Sequence, residues 1–113
     1  MSRKVSHSYT MLNAVAATSA QESGVVNVFG VDKLSIHVKF SANNSGTFTV
    51  YARNSEDDAW FSVSFNVTPT ITADNEALLV MNEVPFHEIK LAWAPSAGSG
   101  TMTAVLKMKS IGS

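Results

Sequence analysis

The chain has 113 residues, a formal net charge of −1, a charged fraction of 15% and no cysteine. This length fits one domain, and the lack of cysteine excludes a disulfide framework, a thiolate nucleophile and the common zinc sites. The eight lysines and arginines are scattered along the sequence, which argues against nucleic-acid binding. No run approaches the roughly 18 apolar residues of a membrane span. Because the chain has few charges to solvate its exterior, part of its surface is expected to be apolar. We expect a partner, or other copies of the chain, to cover that surface.

The first elements are a tail and three candidate strands. Residues 1–8 are predicted to form an N-terminal tail or arm, and residues 9–113 a single domain. Tyr9 to Ala17 and Val25 to Phe29 are candidate strands. Lys33 to Phe40 alternates cleanly between polar and apolar residues, which is the pattern of a half-buried strand.

Two more alternating segments follow in the middle of the chain. Ala42 to Gly46 is rich in turn-forming residues, and Thr47 to Arg53 alternates again. We therefore predict a hairpin between this segment and the preceding strand. Glu56 to Asp58 forms an acidic turn that lacks the alternating spacing of a calcium loop, so it is interpreted as a soluble hairpin tip. Trp60 to Phe65 is the next predicted strand.

The third quarter of the chain contains a break and a run of apolar residues. Pro69 interrupts the pattern because proline cannot donate to a sheet ladder, and Thr70 to Thr72 is predicted to be a short edge strand. Ala77 to Met81 is apolar on both faces. Such a run suits a strand that is covered on both sides or a buried helical turn, and the strand is the preferred interpretation.

The last segments complete the pattern of an all-β protein. His87 to Ala94 and Thr101 to Lys109 are predicted strands, with a flexible loop from Pro95 to Gly100 between them. About eight short strands at roughly ten-residue spacing predict an antiparallel β-sandwich, of jelly-roll or immunoglobulin-like type, with a barrel as the alternative.

No catalytic constellation emerges from the residue types. His7, His37 and His87 each lack a second ligand-type residue at metal-like spacing. The sequence contains no Gly-x-Ser-x-Gly motif and no phosphate-binding glycine loop. We therefore predict a non-enzymatic protein with no cofactor and no metal.

Three aromatic residues are candidates for a sugar-binding platform. Trp60 follows the acidic turn on an apparently polar face, and Tyr51 and Trp93 are the other large candidates. The alternative is that all three pack within the core or between strands, where aromatic pairs stabilise sheets. Packing is the preferred interpretation.

Several segments resemble small virion proteins of tailed phages. Val25 to Val38 resembles the opening strands of that family. Gly46 to Trp60 is similar to its strand and Ser-Asn-Asp-Gly-x-x-Trp turn, with acidic residues in place of the glycine. Phe86 to Leu91 and Gly98 to Thr103 match its closing strands around a Ser/Gly loop. The resemblance implies a structural protein of the capsid-decoration or head–tail accessory type, with no catalytic residues to transfer.

The preferred hypothesis is therefore a capsid decoration (cement) protein of the virion, which forms a homo-oligomer and binds the major capsid protein or another virion protein. Residues 1–21 would act as an arm that adds a strand to a neighbour, or else form a frayed tail. The alternatives are a tail or head–tail accessory protein and a carbohydrate-binding module. The predicted partner interface consists of Tyr9, Met11, Leu12, Trp60, Leu79 and Met81.

Overall fold

Nine β-strands make up the regular structure of the computed structural model, which describes residues 3–65 and 70–112. The strands are β1 (Arg3–Ala16), β2 (Gln21–Glu22), β3 (Val26–Asn27), β4 (Lys33–Phe40), β5 (Asn44–Arg53), β6 (Phe61–Val63), β7 (Glu76–Met81), β8 (Glu88–Gly98) and β9 (Thr101–Gly112). Within the described ranges, no helix has the length and hydrophobicity to cross a membrane.

The strands form two antiparallel sheets with nested pairing. The first sheet has the order β1-β9-β4-β7, and the second has the order β2-β8-β5-β6, with β3 also paired to β8. The first strand thus pairs with the last, the broken strand β2/β3 pairs with β8, β4 pairs with β7 and β5 pairs with β6. This is the jelly-roll arrangement, whereas an immunoglobulin fold places the first strand beside the second. The predicted antiparallel β-sandwich is confirmed, and the topology selects the jelly roll.

The core lies between the two sheets because the apolar half of each alternating strand points inward. In β4, every second residue from Leu34 to Phe40 is buried, as predicted. Trp93 of β8 is 1% exposed, and its ring lies 4.7 Å from that of Phe48 in β5 and 5.2 Å from that of Phe40 in β4. The Trp93 Nε1–H donates to the carbonyl of Ala17 at 3.0 Å. These contacts tie the two sheets together and satisfy the one polar atom of the indole.

The predicted hairpin between Lys33–Phe40 and Thr47–Arg53 is wrong. β4 pairs with β7 and β9 in the first sheet, while β5 pairs with β6 and β8 in the second. Residues 41–43 therefore carry the chain from one sheet to the other. Alternation shows that one face of a strand is buried, but it does not specify the neighbouring strand.

Two further expectations for the loops are corrected. The predicted loop from Pro95 to Gly100 is mostly strand, since β8 continues to Gly98. Pro95 lies opposite Gly46 beside a register shift, and such bulges tolerate proline in a sheet. The predicted edge strand over Thr70 to Thr72 is not formed, and Pro69 lies outside the described residues.

The first strand is longer than the sequence pattern indicates. Residues 3–8, part of the predicted tail, pair with residues 107–112 of β9. Two register shifts interrupt β1, and near them Ala14 has a φ of 50°. Its N–H donates to the Thr103 hydroxyl at 3.1 Å, outside the regular ladder. The role of this segment as an arm toward a neighbour stays a prediction.

The apolar run at Ala77 to Met81 forms most of β7, which confirms the predicted strand. Only its inner face is covered, however, because a two-layer sandwich leaves the outer face of each sheet without a further layer. Leu79 is buried, while Leu78 on the outer face is 50% exposed. The run therefore presents apolar surface to the outside instead of being covered on both sides.

Candidate functional site

The outer face of the second sheet carries a group of side chains that we call the aromatic–cation cluster. Its members are Tyr51, Arg53, Trp60, Glu88 and Lys90, with Glu22 at the margin.

Strand alternation and register assemble this cluster. In β5, the inward positions Val50 and Ala52 are buried, so Tyr51 and Arg53 point outward. The antiparallel register sets Tyr51 opposite Lys90 of β8. It sets Arg53 opposite Glu88 of the same strand. Residues from separate parts of the sequence therefore meet on one surface.

Two cations lie close to one indole ring. The Arg53 guanidinium carbon is 4.2 Å from the centre of the Trp60 ring, and the Lys90 Nζ is 4.8 Å from it. The same ammonium group lies 5.8 Å from the centre of the Tyr51 ring. All three distances are within the range of cation–π attraction, which is worth about 0.5–1 kcal/mol at exposed sites and about 2 kcal/mol when the pair is desolvated. Trp60 thus holds the segment before β6 against β5 and β8.

Two carboxylates neutralise these cations. The Arg53 Nε–H donates to Glu88 Oε1 at 2.8 Å, and these two side chains are 17% and 18% exposed. The Lys90 ammonium donates to Glu22 Oε1, also at 2.8 Å. The cluster is therefore electrically balanced and held in place by its own contacts. Tryptophan, tyrosine and arginine are also the residue types that dominate protein–protein interface energetics, so the arrangement suits a contact surface.

The structure does not assemble the predicted sugar platform from its three aromatic residues. Trp93 lies in the core, and only Tyr51 and Trp60 share the outer face. Arg53 and Lys90 both lie over the Trp60 ring, and these contacts reduce the aromatic surface that is open to stacking on a sugar. The geometry thus gives no support to the carbohydrate-binding alternative.

The predicted interface residues separate into two groups. Four of them are core residues that are at most 7% exposed, so they offer no side-chain surface to a partner, and the prediction is corrected for Met11, Leu12, Leu79 and Met81. Adjacent Met11 and Leu12 both point inward because a register shift of β1 lies between Thr10 and Leu12. Tyr9 is 47% exposed and Trp60 is partly exposed, and their role at an interface stays a prediction.

Two of the histidines lie in distinct local settings. His37 Nε2 is 3.4 Å from Glu76 Oε1 on the outer face of the first sheet, and the His87 ring lies 5.2 Å from that of Phe29. His7 is exposed in β1. Across the described residues, no group of three or more histidine, aspartate or glutamate side chains is placed to hold a metal ion.

Sequence reasoning singled out Trp60 and Tyr51 but missed the charged members of the cluster. Arg53, Glu88 and Lys90 carry no motif. The signal that finds them is the strand register, which places outward positions of β5 and β8 opposite one another.

Comparison with known proteins shows which solved structures have a similar fold. No protein-family model matches the chain, and no curated protein sequence matches it. Among solved structures, it is similar to the SPBc2 prophage-derived protein YomS, with a TM-score of 0.68 and 14% identity over 96% of both chains. It is also similar to the PBSX exported protein XepA, with a TM-score of 0.66 and 13% identity over 95% of this chain and 38% of that one. The same sandwich thus corresponds to nearly all of YomS and to under two-fifths of XepA.

Proposed function

We propose that the chain is a non-enzymatic structural protein of a bacteriophage or prophage particle. The observation that carries this proposal is the end-to-end similarity of the fold to a prophage-derived protein, YomS. The resemblance of the sequence to small tailed-phage virion proteins points in the same direction. A balanced aromatic–cation cluster provides a contact surface of the kind that such a protein needs.

The finer proposal is a capsid decoration protein in the virion, which binds the head lattice as a homo-oligomer. Several weak contacts to a symmetric shell add up to strong attachment because each further contact is intramolecular. The partly exposed Trp60 and the half-exposed Leu78, on the outer faces of opposite sheets, are available for such contacts. A tail or head–tail accessory protein is the alternative location.

Purified particles from the source of the gene test the proposal directly. Heads and tails are separated, and the copy number of the chain in each fraction is measured by mass spectrometry against the major capsid protein. We expect many copies in the head fraction. Recovery in the tail fraction would select the accessory role, and absence from all particles would refute the proposal.

A pair of variants tests whether the aromatic–cation cluster makes the contact. Trp60→Ala removes the central ring of the cluster, and we expect it to abolish binding to particles that lack the protein. Phe61→Ala is the matched control, because Phe61 is an exposed aromatic residue in the next position. It is paired with the buried Ala52 in the strand register, so its side chain lies on the other face of the sheet from the cluster. Loss of binding in both variants, with both still folded, would show that the cluster is not the specific contact.

A further inference from the structure

The outer face of the first sheet brings together three lysines, which we call the lysine cluster: Lys33 of β4 with Lys107 and Lys109 of β9. Lys33 lies directly opposite Lys109, and Lys107 lies opposite Ser35 in the adjacent outward row. Residues from distant parts of the sequence are therefore neighbours on two paired strands. Folding therefore brings together basic residues that are scattered along the sequence.

This arrangement is unfavourable for an isolated sheet. Like charges directly opposite each other on neighbouring strands are destabilising, whereas Lys39, Arg53 and Lys90 have carboxylate partners. Lys39, on the same face, lies 3.7 Å from Glu76. On this face, Glu76 forms ion pairs with His37 and Lys39, which lie toward the other end of β4. The three lysines thus concentrate positive charge at the Lys33 end of this face.

A pocket of about 170 Å³ opens between these side chains. The three lysines line it, together with Ser35, Val80 and Asn82. Three ammonium groups and a serine hydroxyl can each donate hydrogen bonds to one compact group with several acceptor oxygens. A phosphate group has that shape and charge, and lysine binds phosphate as a point charge.

We propose that the lysine cluster is a binding site for a phosphate-type oxyanion. The pocket concentrates three cations around a volume that suits one multiply charged group, whereas the carboxylates of an acidic peptide are singly charged and spread along a chain. Bound phosphate would also relieve the repulsion between Lys33 and Lys109. The proposal does not depend on the proposed function, because it rests on the charges and register of one sheet face.

Titration of the isotope-labelled protein with inorganic phosphate, followed by NMR at low ionic strength, tests the site. We expect saturable shifts of the backbone amides of Lys33, Ser35, Lys107 and Lys109, which sodium chloride at matched ionic strength does not reproduce. The double variant Lys107→Gln/Lys109→Gln should weaken binding at least tenfold. Lys39→Gln is the matched control and should change the affinity less than twofold. Equal shifts with chloride, or unchanged affinity in the double variant, would overturn the proposal.

Three further titrations identify the source of the phosphate group. The probes are a short single-stranded oligonucleotide, vesicles that contain a lipid with a phosphate-monoester headgroup, and a glutamate-rich peptide. Tighter binding of the oligonucleotide than of inorganic phosphate selects nucleic acid, with a slope of log K against log salt near −2 for three phosphate contacts to a single strand. Tighter binding of vesicles selects a lipid headgroup, and inorganic phosphate as the tightest ligand selects a small anion. Tighter binding of the peptide would overturn the assignment to phosphate.

Discussion

Removal of the Trp60 side chain should loosen the outer face of the second sheet. Two cations contact the ring at 4.2 and 4.8 Å, and the side chains of Arg53 and Lys90 are only 17% and 18% exposed. Because these cations are largely desolvated, each contact falls toward the upper part of the 0.5–2 kcal/mol range. We expect Trp60→Ala to lower the free energy of unfolding by about 2–3 kcal/mol. That is a large fraction of the stability of a small domain.

A double-mutant cycle isolates the contribution of one cation. Lys90→Met keeps the aliphatic stem and removes the charge, and its carboxylate partner Glu22 is 55% exposed and stays solvated. Arg53 is less suitable, because its removal would leave the largely buried Glu88 carboxylate without a partner. We expect a coupling energy of about 1–1.5 kcal/mol between Trp60 and Lys90.

Urea unfolding of the wild type, both single variants and the double variant measures this coupling, provided that the m-values agree. The cycle between Trp60→Ala and Lys39→Met is the control, since Lys39 lies on the first sheet, and it should be additive. Repetition at high salt separates the two interactions of Lys90, because salt screens its ion pair with the exposed Glu22 carboxylate more than its contact with the ring. A coupling below about 0.3 kcal/mol, the usual error of additivity between distant sites, would refute the role assigned to the cluster.

Three other predictions concern two packing contacts of the core and one pair of like charges on the first sheet. Gly46→Ala would place a Cβ 2.5 Å from a backbone oxygen of β8 and 2.6 Å from the Trp93 ring, and we expect it to lower the free energy of unfolding by about 1–3 kcal/mol. Gly24→Ala is the control, because its Cβ would have nothing within 4 Å, and it should be neutral or stabilising. Equal melting temperatures for these two variants would contradict the clash. Trp93→Phe leaves a buried carbonyl unpaired and should cost about 2–4 kcal/mol in urea unfolding; a cost below about 1 kcal/mol would contradict the assigned hydrogen bond. Lys109→Gln should raise stability by about 0.2–1 kcal/mol at low salt, because it removes the repulsion from Lys33; an equal gain at high salt, where the repulsion is screened, would show another cause.

The sequence predicts which side of each long strand is buried more reliably than which strands are neighbours. Period-two alternation in β4 and β5 identifies Ile36 and Val50 correctly as core residues, since burial of one face imposes that period. The pairing of these strands depends on the crossing between sheets, which a short polar connection does not encode. Pro95 is a second example, because a proline in the sequence predicts a loop. Only the strand register shows the bulge near Gly46 that accommodates the proline within β8.

The candidate site is predictable only in part for the same reason. Trp60 stands out as a large aromatic residue on a polar face, and the structure places it at the centre of a cluster. Its partners Arg53 and Lys90 lie far apart in sequence and meet through the register of β5 and β8. The lysines of the first sheet follow the same rule, since each is an ordinary outward residue when its strand is considered alone.

The charge distribution constrains how copies of the chain can associate. Six basic residues have described side chains, and four of them lie on the outer face of the first sheet, in β4 and β9. Glu76 is the only acidic residue in the described strands of that sheet. The second sheet balances Arg53 and Lys90 with two carboxylates. A two-fold contact places the same patch of both copies together, so contact through the first sheet would oppose two basic faces. Copies should therefore meet through the balanced face or through strand edges, which leaves the basic face for an anionic partner.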